Sequence, residues 1–266
     1  MKVSPALLLL KLAAIIAFIS AITYCWTNNA WLLLLASYLY YRVLSVVANG
    51  ISLHRYFSHR SFATSKPKHI FLCWVSVLVG EADPILSSLI HRHHHKYSDT
   101  DRDIHSPTQG FWQSAFTWPF NSAAWFASKR ISINQVKDLL QDPHVKFVAT
   151  HYFRIWASII VVGMLISWQF CVFFILMPVF WELTNNGVFS KYLVHTKLPG
   201  SYRNYETLDT SYNHKFLLWV YTAEIFHNNH HKFPGAYDQA TEAGEFDPSA
   251  WVINKFFKES INTYEF

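Results

Sequence analysis

Long apolar runs alternate with polar, histidine-rich segments along the chain. A bilayer core of about 30 Å needs about 20 helical residues to cross. Four apolar runs have this length and predict membrane helices over about residues 6–26, 30–48, 147–168 and 170–194. Short turns at residues 27–29 and near 167–169 separate them into two pairs, so we expect two helical hairpins. Pro178 and the polar residues 184–187 predict that the last helix is kinked or partly broken.

Basic residues fall on one side of this layout. The two short turns contain no Lys or Arg, and nearly every Lys and Arg lies at the N-terminus, within residues 55–146 or from residue 191 onwards. Positively charged loops stay in the cytoplasm. The pattern therefore predicts an all-α membrane protein with one domain over residues 1–266 and both termini in the cytoplasm. A cytoplasmic helical cap is expected over residues 49–146 and 195–266.

The composition agrees with a membrane protein and changes how the charge is interpreted. Apolar residues make up 52% of the chain and charged residues only 15%, against about a quarter charged in soluble proteins. The net charge of +5 comes from Lys and Arg placed near the membrane, where anionic headgroups attract them, so we expect no nucleic acid partner. Cys25, Cys73 and Cys171 stand among apolar neighbours and are expected to be buried thiols.

Most of the 15 histidines fall in three clusters. His54 and His59 form an HxxxxH, and two HxxHH motifs occupy residues 91–95 and 227–231. On an α-helix, positions i, i+3 and i+4 share one face, so each HxxHH is expected to direct three imidazoles at one spot. Residues five apart are about 140° apart on a regular helix, so the HxxxxH pair is expected to straddle a helix end or to bind two neighbouring metals.

The remaining histidines are interpreted as surface or structural residues. These are His69, His144, His151 and His214, together with His93, which occupies the variable position of its motif. Clustered imidazoles gain little from packing together unless a cation binds them as neutral ligands. A structural zinc ion is complete with four ligands, whereas eight or nine histidines fit two ions. Imidazole binds zinc, copper and nickel as well as iron, so the ligand type alone does not decide the metal. Two redox-active ions can share the electrons needed to split oxygen, which favours iron without excluding the other metals.

Five segments resemble the integral-membrane acyl desaturases of the stearoyl-CoA type. They are NGISLHRYFSHRSF, HRHHHKYSDTDRDIH, LPGSYRNYETLDTSYN, AEIFHNNHHKFP and EFDPSAWVI. The resemblance extends from about Gly50 to Val252. It implies four membrane helices, a cytoplasmic cap and a centre of two Fe²⁺ ions. It also implies that the protein uses O₂ to introduce a cis double bond into a long-chain fatty acyl thioester, with acyl-CoA as the first candidate.

The resemblance implies nine histidine ligands. Carried over position by position, they are His54, His59, His91, His94, His95, His195, His227, His230 and His231. His195 is the ligand outside the three clusters and stands at the inner end of the fourth membrane helix. Partners for the free N–H groups of ligating histidines are expected among the nearby carboxylates. The candidates are Glu224, Asp99, Asp103 and Asp209.

The sequence departs from the family pattern at two positions. Lys191 stands where the family usually has an Asn that holds a water on one iron. Because an ammonium beside two dications is unfavourable, we expect Lys191 to point away or to lie near a carboxylate such as Glu182 or Glu224. Ala115 stands where many relatives have a His outside the ligand set. A relative of the family that has lost its activity through Lys191 is a further alternative.

Electrons must come from a separate protein, because the sequence contains no His-Pro-Gly-Gly haem signature, no GxGxxG and too few cysteines for an iron–sulfur cluster. A ferredoxin or a small cytochrome with its reductase is expected. The predicted location is a bacterial inner membrane or the endoplasmic reticulum, with the site on the cytoplasmic side. Alternatives are an acyl hydroxylase, an acyl-lipid desaturase and a metal transporter, although a transporter needs ionisable residues inside its spans.

Overall fold

The computed structural model describes residues 4–219 and 224–259. Within them there is no β-strand, and pairing between extended segments is limited to single bridges of Asn213 with Tyr202 and Phe226. The α-helices are α1 (Pro5–Asn28), α2 (Trp31–Ser45), α3 (Lys66–Val75), α4 (Pro84–Tyr97), α5 (Ala123–Ser128), α6 (Lys137–Gln141), α7 (Pro143–Ile166), α8 (Trp168–Phe170), α9 (Met177–Asn185), α10 (His227–Lys232) and α11 (Pro248–Val252).

Helices of other types extend or connect these elements. The π-helical segments are Val46–Ser58, Gln113–Thr117, Cys171–Leu176, Asn186–Ser190 and Ile253–Phe257. The 3₁₀ turns are Pro107–Gln109, Trp118–Phe120, Ile133–Val136, Leu193–His195 and Lys215–Trp219. Several π-helical segments continue an α-helix without a break, so the long helices of this protein are mixed in type.

Four continuous helices are long and apolar enough to cross a membrane, and they confirm the predicted all-α membrane fold. They are Pro5–Asn28, Trp31–Ser58, Pro143–Ile166 and Trp168–His195. Large apolar side chains such as Leu32 and Leu165, which are 82% and 81% exposed, project from them as expected for lipid-facing positions. Cys25, Cys73 and Cys171 are buried free thiols, as predicted.

The second and third long helices extend beyond the apolar runs that predicted them. The second continues through a π-helical segment to Ser58, past the predicted limit near residue 48. The third begins at Pro143, because Asp142 Oδ1 accepts hydrogen bonds from the backbone N–H of His144 and Val145. Hydropathy does not register capping residues or polar helical turns, so it underestimates both helices.

The fourth long helix is irregular, as Pro178 and the polar residues after it predicted. Two π-helical segments, Cys171–Leu176 and Asn186–Ser190, flank its central α-helical part. At Gly187 an added Cβ would lie 2.6 Å from the Ala115 carbonyl oxygen, so only glycine lets the segment around Ala115 approach this closely. This approach brings residues 113–117 and the end of the fourth helix to one wall of the site.

Candidate metal centre

The HxxxxH motif lies where the second long helix ends. His54 belongs to its π-helical segment, and the next motif residue, His59, is the residue that caps this segment. The backbone N–H of His59 donates to the His54 carbonyl oxygen at 3.1 Å, the i to i+5 hydrogen bond of a π-helix. The two rings lie 4.9 Å apart between centroids. The pair therefore straddles a helix end, one of the two predicted alternatives, and faces a single cluster.

The two HxxHH motifs lie on α4 and α10. Asp83 and Pro84 begin α4 seven residues before His91, with the Asp83 carboxylate accepting from the backbone N–H of Ile85 and Leu86 at 3.0 Å. The prediction that each motif directs three imidazoles at one spot is wrong. In both motifs the i and i+4 histidines join one cluster and the i+3 histidine joins another. Positions i+3 and i+4 differ by about 100° around a helix, so a helix between two clusters serves both.

Nine histidines form two neighbouring clusters, and they are the nine that the sequence placed at the site. Histidine group 1 consists of His54, His59, His91, His95 and His230. Histidine group 2 consists of His94, His195, His227 and His231. Within each group, one ring nitrogen from every member lies within 4.8 Å of all the others. Most members are buried, and His59, His91, His95 and His231 are half-buried.

The spacing of the ring nitrogens fits a bound cation. In group 1, the Nε2 atoms of His59 and His95 lie 2.7 Å and 3.0 Å from His91 Nε2. Ligands at right angles around an ion, with bonds of about 2.1 Å, lie about 3 Å apart. In group 2, His195 Nε2 and His227 Nε2 are also 3.0 Å apart. Without a bound cation, nothing would compensate for bringing so many ring nitrogens to this spacing.

Carboxylates face the outer ring nitrogens of group 2. Asp103 lies 2.9 Å from His94 Nδ1, and Asp209 lies 3.0 Å from His231 Nδ1. The corresponding distances are 3.4 Å from Asp99 to His195 and 3.2 Å from Glu224 to His227. The structure thus places all four predicted carboxylates beside this group.

These carboxylates determine which nitrogen faces the centre. With Nδ1–H donated to Asp103 and Asp209, His94 and His231 present the lone pair of Nε2 inwards. The Nε2 atoms of His195 and His227 lie 3.0 Å apart, and their buried Nδ1 atoms have no hydrogen-bond partner among the described residues, although a carboxylate lies 3.4 Å and 3.2 Å away. The buried Nε2 atom of His231 has no hydrogen-bond partner among the described residues. The donor set therefore fits metal ions bound through Nε2.

Burial keeps several of the imidazoles neutral, which is the form that binds metal, whereas Asp103 raises the pKa of His94 despite its burial. Burial and the neighbouring charges of His231 and Arg92 lower the pKa of His59 to about 3. Burial lowers the pKa of His231 to about 4, although Asp209 opposes this shift. Burial disfavours the charged form of Asp99 as well, but its contacts with His195 outweigh this and lower its pKa to about 2.

The chain is similar to known proteins along most of its length. The sequence model of the fatty acid desaturase family matches residues 8–240. The chain belongs to the fatty acid desaturase family. Membership supports fatty acid desaturation, and therefore an oxidoreductase of lipid metabolism with a metal centre at its clustered histidines.

Known desaturases of several kinds are similar to the chain. A delta-9 acyl-lipid desaturase of Arabidopsis thaliana is 32% identical over 238 residues, which are 86% of this chain and 72% of the relative. An acyl-CoA 5-desaturase of Anemone leveillei is 29% identical over 233 residues, 87% of this chain and 69% of the relative. An sn-1 stearoyl-lipid 9-desaturase of Anabaena variabilis is 29% identical over 244 residues, 90% of this chain and 83% of the relative.

Histidines outside the two groups have structural partners or remain apart from them. His93 lies 3.0 Å from the Arg102 carbonyl oxygen, on the side of α4 away from the groups, as its position in the motif predicted. His69 is fully buried, with its ring nitrogens near Tyr56 and Asp142. His214 also lies outside both groups.

Sequence reasoning overlooked His105. Its ring lies 4.6 Å from the His94 ring, and one nitrogen lies 3.9 Å from the Asp103 carboxylate. These two residues and His105 form a third set close enough to hold an ion. Burial and the charge of His94 lower the pKa of His105 to about 3. The signal was available, since the desaturase-like segment starting at His91 ends at His105.

Lys191 pairs with a different carboxylate from those predicted. Its Nζ atom donates to Glu81 Oε1 at 3.0 Å, whereas Glu182 and Glu224 were the expected partners. Glu182 instead accepts hydrogen bonds from the side chains of Tyr41, Ser45 and Asn49 in the second long helix. The chain fold brings the segment before α4 against the end of the fourth helix, a contact that separation in sequence does not reveal.

An apolar cavity of about 750 Å³ adjoins the two histidine groups. His54 and His91 of group 1 line it, as do His94 and His227 of group 2. Its other walls are largely aliphatic and aromatic and include leucines of α1 and the residues 118–120. The size lies within the range of small-molecule sites, which is about 300–1,000 Å³.

Proposed function

We propose that this family member desaturates fatty acyl chains in an O₂-dependent reaction at a centre of two iron ions. The observation that carries the proposal is the meeting of two histidine groups at the wall of one apolar cavity. The imidazoles would hold the ions, and the cavity would hold the acyl chain against them. Histidine group 1 would bind one ion and histidine group 2 the other.

The two iron ions, when bound, would supply the oxygen activation and electron transfer that removal of hydrogen from a methylene chain requires. The protein's own residues position and protect the substrate. The aliphatic wall of α1 and the aromatic residues Trp118 and Phe120 exclude water from the chain beside His54 and His94. The carboxylates of group 2 fix the orientation of the imidazoles and keep their Nε2 atoms directed inwards.

The electron balance requires a partner. Removing two hydrogens from adjacent carbons provides two electrons and two protons, whereas reduction of O₂ to two waters consumes four of each. A separate one-electron donor, a ferredoxin or a small cytochrome with its reductase, would supply the other two electrons, and solvent the other two protons.

We propose a multi-pass protein with the histidine groups on the cytoplasmic side of the membrane, following the distribution of Lys and Arg. A single cysteine introduced at Asn28 should react with an impermeant reagent added outside, and one introduced at Lys96 should not. Reaction of both from the same side of intact cells or spheroplasts would contradict this arrangement.

The acyl carrier has two candidates. A fatty acyl thioester, with acyl-CoA first, is the substrate that we propose. An acyl lipid is the second candidate, because Leu9, Leu12 and Ile15 line the cavity and are 64%, 51% and 40% exposed on the outer face of α1. A chain still attached to its lipid has access to the cavity from this face.

Expression in a host that lacks similar desaturases tests the reaction. Lipids and thioesters are analysed separately by gas chromatography with mass-spectrometric location of double bonds, and His195→Ala is the control. We expect a new cis-unsaturated chain that is absent from the control. The fraction in which this chain first appears, lipid or thioester, identifies the acyl carrier. A hydroxylated chain would establish the hydroxylase alternative. Unchanged chains, despite co-expressed electron donors and iron-loaded protein, would refute the proposal.

A further inference from the structure

A charged cluster lies in the wall of the cavity, apart from the histidines that line it. Lys11 of α1 and Lys191 at the end of the fourth helix both contact Glu81, which precedes α4. The Nζ–Oε distances are 3.4 Å for Lys11 and 3.0 Å for Lys191. All three residues line the cavity, and their side chains are only 12% to 16% exposed. The cluster therefore brings together three separate parts of the chain at the cavity wall.

The two lysines have more hydrogen-bond donors than the cluster uses. Each ammonium has three N–H groups, and each donates one hydrogen bond to a different oxygen of Glu81. Lys191 also lies 5.5 Å from the centre of the Trp118 ring, a further cavity residue. Glu81 is thus shared, and donors of both lysines remain for a group inside the cavity.

The charges in the cluster do not cancel, since it contains two ammonium groups and one carboxylate. Glu224 also lines the cavity, but its oxygens lie beside His54 and His227, at 3.6 Å and 3.2 Å. Glu182 does not line the cavity. It is completely buried, and its oxygens accept hydrogen bonds from the side chains of Tyr41, Ser45 and Asn49. The cavity wall at the cluster therefore presents an excess positive charge.

A hydrocarbon chain alone cannot form hydrogen bonds with the charged groups of this wall. Polar groups that face an apolar environment without hydrogen-bond partners are costly, and charged ones more so. We propose that the Lys11–Glu81–Lys191 cluster binds a negatively charged oxygen-bearing group that the acyl substrate carries in addition to its neutral thioester or ester, a phosphate or a carboxylate, and thereby determines which acyl substrates the cavity accepts. The proposal rests on the proposed function for the role of the cavity as an acyl site, but its test does not require turnover.

A purely structural role makes different predictions. If the cluster only tied α1 to the fourth helix and the segment before α4, removal of any member would lower the thermal midpoint and leave ligand preference unchanged. If it binds an anion, the sign of the effect depends on the charge removed. Loss of Lys191 should weaken anion binding, and loss of the Glu81 charge should strengthen it, because Glu81 competes with the ligand for the same donors.

The test compares radiolabelled decanoate and decanol binding to the purified full-length chain, with binding to empty detergent micelles subtracted. The variants are Lys191→Met, Lys191→Arg and Glu81→Gln, and Lys146→Met is the control because Lys146 is exposed and does not line the cavity. Thermal midpoints are measured in parallel. Lys191→Arg keeps the charge, so it maintains a readable result if the methionine variant does not fold.

We expect the wild type, the control and Lys191→Arg to prefer decanoate over decanol by about tenfold, the typical effect of one charge-assisted hydrogen bond. The preference should fall towards one in Lys191→Met and rise in Glu81→Gln. No preference in the wild type, or one that neither Lys191→Met nor Glu81→Gln changes, would overturn the proposal. Failure of the proposed function would instead appear as absent desaturation with the preference intact.

Discussion

The two histidine groups differ in how their ligands are held. Every member of group 2 has a carboxylate beside its outer ring nitrogen: Asp103, Asp99, Glu224 and Asp209. In group 1, among the described residues, only His54 approaches a carboxylate, Glu224, at the longer distance of 3.6 Å. Group 1 also contains three half-buried histidines and group 2 only one.

This difference predicts that the two ions would be bound with unequal strength. A carboxylate that accepts the outer N–H makes an imidazole a more basic ligand and fixes its orientation. In group 2, His94 and His231 have this hydrogen bond, and His195 and His227 have a carboxylate 3.4 Å and 3.2 Å from Nδ1. Group 1 offers five ligands with little such support, against four in group 2. Group 1 is expected to exchange its ion more readily, and group 2 to retain its ion.

The largest effect should follow removal of a ligand. His195→Ala in group 2 and His59→Ala in group 1 should each lower iron content from about two per chain towards one and reduce activity by more than about 100-fold, because a direct ligand is lost. His93→Ala, in the same motif as His91 but pointing to the Arg102 carbonyl, is the matched control and should keep both ions. Equal iron content in all three variants would show that the ligands are assigned incorrectly.

A smaller loss should follow neutralisation of the carboxylates of group 2. Asp103→Asn and Asp209→Asn replace the charged acceptors of His94 and His231 with neutral amides and should reduce metal affinity or activity by about 10- to 100-fold. Asp101→Asn is the matched control, since Asp101 is exposed in the same loop as Asp103. Metal titration followed by activity measurement checks this prediction, which a result like that of Asp101→Asn would contradict.

Glu224 offers a way to test whether the two groups are coupled. Its two oxygens approach His54 of group 1 at 3.6 Å and His227 of group 2 at 3.2 Å. Glu224→Gln should therefore alter the spectroscopic signatures of both ions, whereas Asp209→Asn should alter only one. We expect a loss of activity of about tenfold, at the lower end for such partners. If the Glu224 variant changes one site alone, the carboxylate does not connect the groups.

The smallest effect concerns the metal-free protein at low pH. The folded-state pKa values of about 3 for His59 and about 4 for His231 lie below the ordinary value of 6.5. The unfolded chain therefore binds more protons below pH 6.5, and stability is lost as the pH falls, by about 1.4 kcal/mol per pH unit for each such histidine. Burial raises the pKa of Glu224 to about 7. The folded state therefore takes up one proton at this carboxylate as the pH falls, and this opposes the loss of stability.

Thermal midpoints of the metal-free protein between pH 7.5 and 5 provide the measurement. The midpoint should fall over this range, and His59→Gln should reduce the slope because it removes one of the titrating groups. A midpoint that rises on acidification would mean that the carboxylates outweigh the histidines.

The sequence alone predicts the four long helices and the eight histidines of the three clusters, whereas His195 was expected only from the family resemblance. Apolar length determines whether a helix can cross the membrane. Histidine spacing did not show which side chains share a centre, because the i+3 histidine of each HxxHH joins the other group. The HxxxxH motif is instructive, because its i to i+5 spacing matches the π-helix that places His54 beside His59. The type of helix could not be predicted from the apolar pattern.

Contacts between distant segments could not be predicted in this way. The separation of His94 from His91 and His95 depends on where α4 lies relative to both groups. The pairing of Lys191 with Glu81 joins residues 110 positions apart in sequence. Charge repulsion predicted that Lys191 would either point away or lie near a carboxylate, but the choice between them and the identity of the carboxylate are properties of the tertiary packing.

Iron analysis with Mössbauer spectroscopy on the purified protein tests the central claim most directly. Protein produced with ⁵⁷Fe should contain about two irons per chain, as nine histidines in two groups imply. The spectrum should show two inequivalent sites, and a mild chelator should remove the iron of group 1 first, leaving one signal that Asp209→Asn perturbs. A single ion per chain, or zinc in a fully active protein, would contradict the account.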